Sequence, residues 1–400
     1  MRVDLDAVAS FSQTGDEGGQ RAADSLEGLT GIPATCELTR TTLVDADGLS
    51  VFLGTTSERV TVSFDGALAG RAVLSFDEAF ADHVADELGV DADLALPEVA
   101  NILTSGFVDA WAADDEETID IQPPERIGSE QDVVQEAAIL DDCAFVFESR
   151  VVLSGTRGTC RFAVLPDVDS FESYVAESDA EFSLADLAAH IRVASVSADA
   201  VASHLEAMTG VEATLVESHV DFVPVERVPS LLDDAAYEGA IFESEGVIDS
   251  VVAILFDEAE SGAVASLLLD DPEAGSAMAE SAVTELGNIT ASGFLDEWAN
   301  ALETTIDIST PSHVRDAGTA VLDTVAAAYG ERADTIAVVN ASIELGPDVT
   351  CRVCTFPSPE DADQLGDIAD GLVDDEDAVD AVDAVFGDDD SDDDGAGEDA

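Results

Sequence analysis

The stretches ELGNITASGF (285–294) and EVANILTSGF (98–107) are two versions of one design, separated by a constant offset of 187. Laying 98–124 on 285–311 needs no gap, and fifteen of the twenty-seven paired positions are identical. The shared positions include Glu98/Glu285, Asn101/Asn288, the Ser-Gly-Phe triplets, Trp111/Trp298, the Thr-Ile-Asp-Ile runs and Pro124/Pro311. FDEA at 76–79 returns at 256–259, and TCR at 159–161 returns at 350–352. Self-similarity over such distances marks a tandem duplication. The chain is expected to hold a first unit (1–175), a second (183–356) and a tail (357–400), the units meeting around YVAESDAEFS at 174–183.

Each unit alternates helical and extended patterns. VTVSF (60–64) and RAVLSF (71–76) read as strands around the turn DGALAG, followed by a helix over 93–113 and the strand TIDI with a Pro behind it. CAFVFESRVVL and TCRFAVL flank SGTRG, which supplies hairpin turn chemistry. TIAVVNASIEL and TCRVCTF repeat the arrangement around GPD. Strands joined by tight turns predict an antiparallel sheet, and helices covering one face of it give the class α+β.

The 400 residues carry a formal net charge of -74, from 88 acidic and 14 basic side chains, and every basic residue is Arg. A disordered acidic chain would be poor in apolar residues, whereas this one is 46% hydrophobic. A folded protein of a salt-rich cytoplasm fits, since molar salt shortens the Debye length to about 3 Å and screens self-repulsion. Nothing resembles a basic footprint for nucleic acid. The longest apolar run, VVAILF (251–256), is strand-sized, so no membrane span is expected and the protein reads as soluble and cytoplasmic. In the tail, Val379, Val382 and Phe386 fall at helical spacing within a charge block expected to stay solvated.

The five cysteines (36, 143, 160, 351 and 354) suit reduced, buried thiols. Cys351 and Cys354 have CxxC spacing, but in a strand residues three apart point to opposite faces, and no second pair completes a metal site. The five histidines (83, 190, 204, 219 and 313) are scattered, no GxSxG occurs, and a phosphate loop of the GxxxxGK type is impossible without Lys. Trp111 and Trp298 read as core anchors between helix and sheet.

The candidate chemistry lies on the repeated helix. Ser281, Glu285, Asn288 and Ser292, spaced by four, three and four residues, form one stripe. A plain solvent-facing stripe is the alternative. Against it, Asn is a weak helix former, and the Glu–Asn pair recurs in both copies while neighbours differ, as Leu286 against Val99.

The pattern Ser/Asp-x3-Glu-x2-Asn with a Pro some twenty-one or twenty-two residues on resembles the CheC/CheX family of chemotaxis phosphatases. The second unit matches through Ser281, Glu285, Asn288 and Pro311. The first matches through Glu98, Asn101 and Pro124 and departs at Leu94, where the family has Ser or Asp. The resemblance implies an α+β fold of long helices on an antiparallel sheet with internal pseudo-twofold symmetry. It further implies two half-sites per unit. The leading halves, 13–31 and 192–210, put Gln13 and Asp16, or Arg192 and Ser195, where Glu and Asn would stand, leaving one site per unit. The implied activity is dephosphorylation of CheY, whose phosphate sits on an Asp and whose Mg²⁺ is already in place, so the phosphatase carries no metal or cofactor of its own. Asn288 and Asn101 are implied to align the attacking water, and Glu285 and Glu98 to pair with the receiver's Lys. Ser281, Ser292 and Ser105 are candidates for support or partner contact, and Pro311 and Pro124 for shaping the backbone. A non-catalytic adaptor binding CheY or the receptor deamidase CheD is the alternative. A flagellar switch protein is a third reading, although such a protein would normally add a β-rich motor domain.

Overall fold

The computed structural model describes residues 2–3, 5–45, 49, 53, 58–114, 118–127, 143–167, 170–171, 182–232, 234–246, 249–268, 276–301, 304–330 and 333–358. The acidic tail with Val379, Val382 and Phe386, and most of the joining stretch 174–183, lie outside the described residues.

Strand β1 (Arg2–Val3) leads into helix α1 (Leu5–Thr30) and strand β2 (Ala34–Asp45). The hairpin β3–β4 (Glu58–Gly66, Gly70–Phe76), helices α2 (Glu78–Leu88) and α3 (Ala92–Asp114), short strands β5 (Ile119–Ile121) and β6 (Glu125–Ile127), and the hairpin β7–β8 (Cys143–Leu153, Thr159–Pro166) follow. The second half repeats the order with β9 (Phe182–Ser183), α4 (Leu184–Thr209), β10 (Ala213–Pro224), β11 (Ala236–Glu245), β12 (Ser250–Asp257), α5 (Ser261–Leu268) and α6 (Ser276–Ala301). It closes with β13 (Asp307–Ile308), β14 (Ser312–Ala317), α7 (Gly318–Tyr329), β15 (Thr335–Leu345) and β16 (Val349–Pro357). The hairpins and the motif helix fall where the sequence pattern placed them.

Among the described residues, fourteen strands make one antiparallel sheet, ordered β13-β11-β12-β16-β15-β10-β2-β7-β8-β4-β3-β5, with β14 beside β11 and β6 beside β3. The halves meet edge to edge through β10 and β2. Both are twelve residues long, and Thr42, the ninth of β2, faces Asp221, the ninth of β10. Each strand thus meets its own counterpart, and a pseudo-twofold axis passes between them. At the outer edges Pro124 and Pro311 split the last strand in two, β5 from β6 and β13 from β14. Proline cannot donate to a ladder, so these breaks blunt the exposed edges.

Helices α1 to α6 cover one face and bury a core that runs across both halves, from Phe11, Phe107 and Trp111 to Phe222, Phe242 and Phe294. Trp111 stacks on Phe11 at 4.7 Å and donates its indole N–H to the Phe11 carbonyl. Cys351 belongs to this core and Cys354 to the opposite one, as strand alternation requires, and burial pushes both thiols up to about 12. The one-face expectation is incomplete. Helix α7 and the 3-10 turn Val225–Leu231 bury Val321, Leu322, Val325 and Tyr329 on the other face of the second half. Leu49 and Leu53 cover that face in the first.

Between these two smaller cores lies a buried ionic knot. Arg40 of β2 donates through Nη1 to Asp221 of β10 at 2.7 Å and through Nε and Nη2 to Glu148 of β7 at 3.0 and 2.9 Å. Thr42 and Asn340 also donate to Asp221, at 2.6 and 3.0 Å, and Arg161 reaches Glu148 at 3.0 Å. His219 lies 3.4 Å from Asp221 and 3.2 Å from Glu217. Burial alone would raise the Asp221 carboxyl, but Arg40 and then His219 outweigh it and hold it well below the carboxylate range. Burial alone would lower His219; the Asp221 charge outweighs it and lifts the imidazole to about 9.

The α1–α3 contact is closer than side chains allow. A Cβ on Gly106 would lie 2.7 Å from Ala22 Cα, and one on Gly18 would lie 2.8 Å from Phe107 Cα. At the corresponding α4–α6 crossing the second unit has Val201, and a Cβ on Gly293 would meet its Cγ2 at an ordinary 3.4 Å.

Two stability predictions follow from these contacts. Gly106→Ala is expected to destabilise the fold by about 1–3 kcal/mol through overpacking, while Gly293→Ala is neutral or stabilises by about 0.5–1 kcal/mol through helix propensity, both read by chemical denaturation in molar KCl. A histidine whose folded pKa is raised stabilises fully below its unfolded value and loses that contribution as pH rises through the folded one. Thermal midpoints should therefore fall as pH rises from the ordinary imidazole value of 6.5 to about 9 and level off beyond it, with a shallower fall in His219→Gln; equal slopes would show that the knot does not depend on the imidazolium.

Candidate functional site

Helix α3 starts after the left-handed Gly89, which closes α2. Its inner face buries Ala95, Leu96, Val99, Ala100, Leu103, Phe107 and Trp111, against β3 and α1. Helical periodicity leaves Leu94, Glu98, Asn101 and Ser105 on the outer face. Helix α6 buries Ala282, Val283, Leu286, Ala291, Phe294 and Trp298 and leaves Ser281, Glu285, Asn288 and Ser292 outward. Both tryptophans are core residues, as their motif position suggested.

Exposure matches residue by residue. Glu98 and Glu285 are exposed; Asn101, Asn288, Ser105 and Ser292 are half-buried. Each carboxylate therefore stands free of the surface while the carboxamide one turn along sits partly sunk beside it. Ser105 donates its hydroxyl to the Asn101 carbonyl at 2.7 Å, a bond that fixes the serine on the turn carrying the asparagine. Gly106 is explained by the α1 crossing, and Pro124 and Pro311, both half-buried, by the edge-strand breaks.

The heads of the two stripes differ. Ser281 is exposed, and its counterpart Leu94 is an apolar side chain 69% exposed. Of the four exposed large apolar residues among those described, Val90 and Leu94 adjoin the start of α3 and Met278 lies in the first turn of α6. The helices sit at opposite ends of the helical layer, α3 over β3 and α6 over β11 and β12, with α1 and α4 between them.

The leading-half positions are occupied differently. Gln13 is exposed, and half-buried Asp16 accepts an ion pair from Arg227 of the second half at 2.7 Å, tying α1 across the seam. Ser195 is half-buried, and the Arg192 side chain is outside the described residues. Among the described residues no group of three His, Cys, Asp or Glu side chains is placed to hold a metal ion, and no helix is long and apolar enough to cross a membrane.

Each motif segment also matches known proteins. The model of the CheC-like family matches residues 95–127 and 278–315, once in each half. A Halobacterium salinarum protein whose name reads "Putative CheY-P phosphatase CheC1" is 32% identical over a 188-residue alignment that covers 43% of this chain and 96% of that protein. Among solved structures, Thermotoga maritima FliY is 17% identical with a TM-score of 0.35, covering 44% of this chain and 96% of that one. A CheX-CheY-BeF3-Mg complex from Borrelia burgdorferi is 16% identical with a TM-score of 0.27, covering 38% of this chain and 96% of that one. With the matched segments coinciding with the two exposed Glu–Asn stripes, and a relative aligned along nearly its whole length, the chain belongs to the CheC-like family.

Proposed function

We propose that the protein is a phosphatase for the aspartyl phosphate of a CheY-like response regulator, acting in a salt-rich cytoplasm. The observation that carries this reading is the recurrence of an exposed glutamate and a half-buried asparagine, three residues apart, on the outer face of two duplicated helices. The receiver supplies the phosphorylated Asp and its Mg²⁺, and the reaction lacks only an aligned water. Asn288 and Asn101 enter the receiver's pocket and hold that water in line with the scissile P–O bond, which is catalysis by positioning. A carboxamide donates and accepts hydrogen bonds at any ordinary pH, so it needs no tuned pKa for the task. Glu285 and Glu98 pair with the receiver's active-site Lys and fix the docking register. Ser281 and Ser292 contact the partner at the second site.

A second reading applies to the first site. Leu94, mostly exposed at the head of the stripe where the second unit has Ser281, favours docking over turnover there. On that reading the first unit is an adaptor that holds a CheY-like receiver or the deamidase CheD while the second unit hydrolyses.

The test is the decay of receiver phosphate in molar KCl. Asn288→Ala is expected to slow assisted decay by about 100-fold at the second site, with the residual rate in that variant reporting the first site. Asn101→Ala and the double variant complete the set. Unchanged decay in the double variant would remove the enzymatic reading, and retained receiver binding by that variant would leave the adaptor.

A further inference from the structure

Two residues beyond each motif proline stands a cationic or ionisable residue, Arg126 in the first unit and His313 in the second, related by the same offset of 187. Both bridge the sheet to the start of a motif helix. Arg126 of β6 pairs with Glu58 of β3 and with Asp93 in the first turn of α3. His313 of β14 places Nε2 3.2 Å from Glu238 of β11 and Nδ1 3.7 Å from Glu280 of α6. Asp93 and Glu280 each immediately precede the head of a stripe, Leu94 or Ser281.

The helix ladder is interrupted at this point in the first copy and shares its carbonyl with a side chain in the second. Pro97 lies within α3 and has no N–H to offer the Asp93 carbonyl. Thr284, at the same place in α6, turns its hydroxyl back onto the Glu280 carbonyl at 2.8 Å, a bond that tends to bend helices. The tilt of each helix start therefore depends on side chains reaching it from the sheet.

We infer that Arg126 and His313 are positioning residues that set how each Glu–Asn stripe is presented, and that the second site is thereby graded by pH while the first is constant. The consequence for turnover rests on the phosphatase reading above; the clamp itself does not. Arg keeps its charge and has five donors, enough for two carboxylates at any working pH. Histidine is the residue type whose charge changes between pH 5 and 8. Imidazolium donates from both ring nitrogens and can bridge two carboxylates; neutral imidazole donates from one and must release the other. Glu238 is 3% exposed and also accepts from Ser261 Oγ at 2.6 Å, whereas the Glu280 side chain is 58% exposed, so Glu280 is the partner released. Among the described residues, the charged groups around His313 are Glu238 from β11, Glu280 from α6, and Arg315 on its own strand with Glu258 as partner.

The test isolates each site. In the full chain, Asn101→Ala leaves the second site and Asn288→Ala the first, and receiver-phosphate decay is measured from pH 6 to 8.5 in molar KCl, relative to the receiver alone. The second-site rate is expected to fall several-fold as pH rises and the first-site rate to stay level. His313→Arg should flatten the second-site profile, and Arg126→His should impose the same fall on the first. Amide exchange over residues 276–284, corrected for intrinsic rates, reads the clamp without turnover. Protection should fall with pH in the wild type and hold in His313→Arg. A fall that persists in His313→Arg, or protection indifferent to pH in the wild type, overturns the inference. Decay unassisted by either single-site chain at every pH would overturn the phosphatase reading instead, and the exchange measurement would still decide the clamp.

Discussion

The architecture hangs on one buried contact, the Arg40 guanidinium against the Asp221 carboxylate across the β2–β10 seam. Two sheet edges meeting there supply backbone hydrogen bonds, but four paired residues of ladder would leave the halves free to slip. Asp221 is fully buried and receives donors from Arg40, Thr42 and Asn340. Any other register would strand that charge without partners, at a cost of several kcal/mol. A buried pair is weak evidence for stability as such, because desolvation offsets much of the attraction. Its effect here is on register: it selects the alignment that places each strand opposite its counterpart and lets one apolar core run under both halves.

That register determines where the stripes end up. With β2 and β10 paired at the centre, α1 and α4 occupy the middle of the helical layer, and the motif helices lie over the outer strands. The glycine-lined approach of α1 to α3 then fixes which side of α3 is buried, and helical geometry sends Glu98 and Asn101 outward. On the proposed function this gives two docking faces at opposite ends of one helical layer. It also explains why an unpaired stripe head such as Leu94 survives: it lies on the outer face, where packing makes no demand on residue type.

Much of this was legible in the sequence, and the exceptions share a cause. Hairpins, the motif helix, the opposed cysteines and the Trp anchors all depend on local periodicity, which a single stretch records. The seam left no such signal, because His219 and Asp221 alternate with Val220 and Phe222 as a solvent-facing strand would and Arg40 and Thr42 lie in a polar run from 39 to 42, yet all four are at most about a tenth exposed. Helix α7 was missed because its apolar stripe, Val321, Leu322 and Val325, serves the face that the hairpin pattern left unassigned. Asp16 stands where the asparagine of a leading half-site would be, and its bond to Arg227 gives it a structural duty across the seam. The clamp residues escaped notice because Arg126 and His313 differ in identity; the only signal was the offset of 187 continuing two residues past the proline.

Charge scarcity gives these assignments weight. With 88 acidic side chains and 14 arginines, a carboxylate near any given arginine is expected by chance. Where the arginines sit is therefore the informative variable. Arg40 joins the halves at the seam, Arg161 braces Glu148 across the β7–β8 hairpin, Arg227 ties α1 to the other half, Arg126 links β6 to β3 and the start of α3, and Arg315 links β14 to Glu258. Apart from the hairpin contact, these are joints between elements distant in sequence. Exposed pairs add little to global stability, and less in molar salt, so for stability the joints that matter are those shielded from solvent, above all the knot. The same screening bears on the proposed partner. With a Debye length of about 3 Å in molar salt, the chain's net charge cannot steer a receiver from a distance, and a glutamate can act on the receiver's Lys only in contact. On the proposed function, recognition in molar salt then falls to shape and to side chains in direct contact, with the exposed Leu94 and Ser281 at the heads of the two stripes among them.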